Sequence, residues 1–112
     1  MQTYVTVAEF SGQASFHAGK AASSSRQGTH GSGAFASAPG DLIVGGYADA
    51  GYVGALGIAD GKQALGASLD EVYSIQSIQS FGMAGEDSSS VIYSNDNYSR
   101  AEVAGASFTP AS

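Results

Sequence analysis

The chain has 112 residues, with 10 acidic against 4 basic side chains, a formal net charge of −6 and no cysteine. Lys20, Arg26, Lys62 and Arg100 are scattered, so no basic patch is present to neutralise a phosphate backbone, and the sequence argues against nucleic acid as a partner. Disulfides and thiolate metal sites are excluded. No run approaches the ~18 apolar residues of a membrane-spanning helix, and Met1-Gln2-Thr3-Tyr4-Val5 lacks the basic start and apolar run of a secretory signal. The expectation is a single domain over residues 1–112, neither membrane-bound nor nucleic-acid-binding. Ala supplies much of the 43% hydrophobic content, and 16 glycines weaken the fold. The core should therefore be thin, and oligomerisation should carry part of the stability.

In chain order, residues 1–10 read as a strand, with Val5 and Val7 on one side and Tyr4, Ala8 and Phe10 on the other. Residues 13–32 are rich in Ala, Ser and Gly, with Phe16 as the one large apolar residue, and read as loop or loosely paired edge. Residues 33–37 predict a short strand around Phe35, and Ala38-Pro39-Gly40-Asp41 a turn. Residues 42–47 are apolar on both faces, which predicts a central strand. The Gly45-Gly46 pair inside it predicts a bulge or a close approach by another backbone.

Residues 52–59 read as a weaker strand closed by a turn at Asp60-Gly61-Lys62. Leu65 and Leu69, four apart, allow a short helical turn that Gly66 keeps from lengthening. Residues 72–81 return to strand character. Their doubled Ser-Ile-Gln sets Ile75 and Ile78 on opposite faces unless a bulge realigns them. Residues 82–87 are turn-like, 88–93 a strand, and Ser94-Asn95-Asp96-Asn97 a turn. Residues 100–108 close the chain, with Val103, Gly105 and Ser107 on one face and Ala104, Ala106 and Phe108 on the other. About seven short strands with turn signals roughly every ten residues predict an all-β, antiparallel, jelly-roll-like sandwich.

The residues that carry chemistry are sparse. His17 and His30, with Asp41 or Asp49 as a further ligand, are the candidates for a metal site, but two histidines without further ligand spacing in a Ser/Gly-rich stretch read as ordinary exposed polar residues. Glu86-Asp87 and Asn95-Asp96-Asn97 offer oxygens for calcium without matching a calcium loop, and turn chemistry explains them. Gly66-Ala67-Ser68-Leu69-Asp70 matches only half of a nucleophile elbow, and Gly61-Lys62 lacks the rest of a phosphate loop. No catalytic, cofactor or metal residue is assigned, and the expectation is a non-enzymatic module. Tyr47, Tyr52, Tyr73, Tyr93 and Tyr98 are first read as sheet-packing residues, with Tyr52 and Tyr98 as candidates for a binding surface.

Three segments together resemble a family. Residues 5–12 (VTVAEFSG) are similar to the "VAEYSG" strand, and residues 38–46 (APGDLIVGG) to the "PGDLLVGG" strand, of a Gly/Ser/Thr-rich β-sandwich found in bacterial surface proteins and phage structural proteins. Residues 100–110 (RAEVAGASFTP) resemble its closing strand. Arg100 stands where the family has an aromatic, and the family's domain carries further strands before the first motif. The resemblance implies an incomplete sandwich completed by a neighbour: a homo-oligomer joined to other virion or surface structural proteins. The expected setting is a virion, as a capsid decoration, tail or fibre component. The alternative is an extracellular, glycan-binding or self-assembling surface module.

Overall fold

The computed structural model describes residues 13–51, 56–58, 66–72 and 75–110. Among them every regular element is a β-strand: β1 (Gln13–Gly31), β2 (Phe35–Ala36), β3 (Leu42–Gly51), β4 (Leu56–Ile58), β5 (Gly66–Val72), β6 (Ile75–Met83), β7 (Ser88–Ser89) and β8 (Ile92–Pro110). The main sheet runs β1-β8-β3-β6-β5, with β4 also on β8, and β2 and β7 form a separate pair. All pairings are antiparallel.

Several expectations hold. The strand read at residues 42–47 is the first part of β3, which lies in the middle of the sheet between β8 and β6. The turn at residues 38–41 closes through the Asp41 amide donating to the Ala38 carbonyl at 2.9 Å. Gly40 supplies the positive φ of 92° that position requires. Phe35 sits in a two-residue strand as anticipated.

Others are corrected. Residues 13–32 are not a loop: β1 is a 19-residue edge strand whose backbone pairs with β8 along its length. No helical turn forms around Leu69, which lies in β5 opposite Ile78. Two strands of 19 residues replace the picture of uniformly short ones. No bulge interrupts β3 at Gly45-Gly46 or β6 between Ile75 and Met83, where the register runs without a shift. Residues 94–97 are not a chain reversal but part of β8. The strand expected at residues 1–10 and the turn at 60–62 lie outside the described residues, as does Tyr73.

A flat strand of 19 residues would extend about 60 Å, yet the molecule's longest dimension is 44 Å. The β1–β8 ribbon must therefore bend, and its register shows where. Arg26 faces Ser99 and Gly28 faces Asn95, so residues 96–98 bulge opposite Gln27. Gly28, at φ 107°, accommodates the bend. The Asn residues read as turn formers do act here. Asn95 Oδ1 accepts from the Asn97 amide and Asn97 Oδ1 from the Tyr98 amide, both at 2.9 Å.

Beyond the bulge, Tyr93 reaches back over the sheet, its ring centroid 5.7 Å from that of Tyr47 and its hydroxyl 2.5 Å from Ser80 Oγ of β6. The β2–β7 pair closes the same side, with Phe35 and Val91 buried beneath it. The closing strand alternates as expected: Ala101, Val103, Gly105 and Ser107 are buried, and Arg100, Glu102 and Ala104 exposed. Ile43, Gly45, Tyr47 and Asp49 share the buried face through their pairing with Ser107, Gly105, Val103 and Ala101.

Candidate functional site

The buried face holds a polar network set among its apolar side chains. Tyr47 donates its hydroxyl to Asp49 Oδ2 at 2.6 Å, and Asn95 Nδ2 donates to the same oxygen at 3.0 Å and to the Tyr47 hydroxyl at 3.2 Å. Ser99 Oγ joins the Tyr47 hydroxyl at 3.1 Å to His30 Nε2 at 3.3 Å, and His30 Nδ1 meets Ser24 Oγ at 2.5 Å. The β1–β8 bend makes this possible, because it folds His30 back to Ser24, six residues earlier. Burial pushes the Tyr47 phenol up to about 12, helped by the Asp49 carboxylate it donates to. Burial also lowers the His30 imidazole from its usual 6.5.

A serine beside a histidine is the geometry of acyl transfer. Here Ser99 and His30 are sealed at 0% and 1% exposure, and His30 turns its second nitrogen to a serine rather than a carboxylate. What the arrangement does is satisfy buried polar atoms from β1, β3 and β8 at once, fixing how the ribbon folds over the sheet.

The residues weighed as metal ligands fall into two separate places. His17 Nδ1 contacts Asp41 Oδ2 at 2.8 Å, with Asp41 buried and also accepting from the Ala38 amide at 3.1 Å. His30 belongs to the Asp49 network. Among the described residues no group of three His, Cys, Asp or Glu is placed to hold a metal ion. Asn95 is buried in the core network, whereas Asp96, Asn97, Glu86 and Asp87 are exposed.

Of the tyrosines, Tyr47 and Tyr93 are core residues, as their first reading expected. Tyr98 stands on the bulge at 50% exposure. Tyr52 lies outside the described residues.

The outer face of the sheet presents a different surface. Pairing places Ala21 beside Ala104, Ala104 beside Gly46, and Gly46 beside Gln79 across four strands. These side chains line an open depression of about 450 Å³, with Ala48, Ser23 and Glu102 along it. At the other end of the same face stand larger apolar groups. Phe16 meets Phe108 edge-on at 5.8 Å, next to Leu42, and Met83 is the partner of Leu42 on its far side. Phe16 is 62% and Met83 56% exposed. In the sequence, the alternation over residues 100–108 marks this face, and the Ala, Ser and Gly residues of β1 that continue it carry no such mark. No protein-family model, curated protein or solved structure matches the chain.

Proposed function

We propose that this protein is a non-enzymatic structural subunit that works by assembling through the outer face and edge of its sheet. The observation that carries the reading is the outer face, where large apolar side chains stand in solvent beside a depression floored by Ala and Gly. Among the described residues β1 stands at the edge of the sheet, which supports it, since a sheet edge offers backbone groups to another chain. Among the described residues the buried polar network is closed off from solvent, whereas Phe16 and Met83 stand exposed on the outer face. We infer a sandwich-like module that a neighbouring subunit completes. The resemblance of three of its segments to phage structural proteins makes a virion the setting, as capsid decoration or as tail or fibre component.

A second reading, an extracellular module that binds glycans or builds a surface fibre, is favoured by the half-exposed Tyr98 ring beside Asp96 and Asn97. Size-exclusion chromatography with light scattering tests the assembly reading. The expected result is a discrete oligomer or a concentration-dependent mass, and a folded monomer at every concentration overturns it. A glycan array with wild-type chain and Tyr98→Ala separates the second reading.

A further inference from the structure

We propose that the partner of the outer face is a second copy of this chain, packed face to face about a two-fold axis that lies in the interface and runs across the strands. This rests on the reading of the protein as an assembling subunit and names what it assembles with.

Side-chain size is unevenly distributed along the face. Register puts Phe16, Phe108, Leu42 and Met83 in one row at one end, with Phe16 and Met83 exposed at its two ends, Phe108 half-buried and Leu42 buried between them. The next row holds Gly19, Ala106, Val44 and Phe81, and beyond it the side chains shrink to Ala21, Ala104 and Gly46, followed by Ala48. Gly46 has open space where a side chain would stand, with no heavy atom within 4 Å of a Cβ built there. The face is thus a ridge beside a hollow. Rotation about an axis in the interface and across the strands turns each strand end for end while keeping strand order. It therefore lays the ridge of each copy over the hollow of the other, twice in one contact. Such a patch is complementary to itself, which is what a two-fold interface needs. An axis along the strands would set ridge on ridge and leave both hollows empty.

Charge points the same way. The chain carries a net −6, so two copies meet without repulsion only through a surface poor in charge. On the described part of β8 this face carries no ionised side chain between the ridge and the hollow; Glu102 lies on the hollow's far side and Arg100 beyond it. A strongly basic partner would find little there to pair with. Area is sufficient as well. Four strands about 4.8 Å apart, over about seven residues rising about 3.4 Å each, give roughly 450 Å² of sheet per copy. Doubled, and before side-chain relief is added, this approaches the ~1,000 Å² where specific interfaces begin.

The chain has no cysteine, so a single introduced thiol reports on one position alone. Ala104 lies near the proposed axis and is exposed, whereas Glu86 is exposed in the loop before β7, away from this face. The experiment treats full-length Ala104→Cys and Glu86→Cys with a short bismaleimide and measures the mass of wild type, Phe16→Ser and Ala104→Arg by light scattering. Both added substitutions are at exposed positions, and circular dichroism checks their fold. The expected result is a wild-type dimer, efficient cross-linking at position 104 and little at 86. Phe16→Ser and Ala104→Arg should each weaken the dimer about tenfold or more. An oligomer that neither cross-links at 104 nor responds to either substitution overturns the face-to-face dimer but leaves assembly standing, and points to the β1 edge. Retention of the wild-type mass only with a second, different protein bound overturns it too. A monomer throughout overturns both.

Discussion

Gly45 and Gly46 are neighbours in β3 and look out on opposite faces of the sheet. A Cβ at Gly45 would collide with the Tyr93 hydroxyl and come within 2.8 Å of Val91 Cγ1, while a Cβ at Gly46 meets nothing within 4 Å. Gly105, paired with Gly45 in β8, is crowded in the same way, by Phe35 at 2.7 Å and Val91 at 2.9 Å. Small residues on the inner face are therefore space already taken by the chain's own aromatic and branched side chains. On the outer face the same composition leaves a hollow. Glycine content alone does not distinguish these uses; only what stands opposite does.

Breaking the inner half of that comparison should have the largest effect. Gly45→Ala and Gly105→Ala force a methyl into filled space, and each is expected to cost about 3 kcal/mol of stability through overpacking, read as a lower denaturation midpoint in urea. An unchanged midpoint in both would mean that the inner face is not packed as described. Next comes the polar network. Tyr47→Phe keeps the ring but removes the hydroxyl shared by Asp49, Asn95 and Ser99, at an expected cost of about 2 kcal/mol.

Acidification should act through His30 more gently. Its folded-state pKa lies below the ordinary 6.5 because of burial, so below about pH 6.5 the unfolded chain takes up a proton that the folded chain refuses. Stability should fall as pH drops from 7.5 to 5.5, and His30→Gln should flatten that slope in thermal melts. An equal slope in the variant would remove His30 from the account. The smallest effect belongs to the outer face: Gly46→Ala should change folding by no more than about 0.5 kcal/mol in dilute solution. Comparing its melt with that of Gly45→Ala sharpens the contrast between the two faces.

Legibility in the sequence followed the same division. β3 and residues 100–108 were readable because large apolar residues, or strict alternation about them, record which face is buried. The β1 strand was not, because its Ala, Ser and Gly residues have little intrinsic strand preference and, as an edge, it is held mainly by backbone pairing to β8. Its mate was misread at 94–97 because Asn and Asp there do form turn-like hydrogen bonds, but within a bulge that bends the strand. The buried network was hidden for a related reason. His30, Asp49, Asn95 and Ser99 are ordinary surface residue types, and only the bend brings them together. The depression was hidden because it is made of what side chains lack.

The most direct test of the whole account is the thermal unfolding midpoint of the unmodified chain measured over a wide range of protein concentration. If the outer face is covered by a second copy, mass action makes the midpoint climb steadily with concentration, and Ala104→Arg abolishes the climb. One midpoint shared by all concentrations would contradict the account, and the outer face would then stand open in the folded protein.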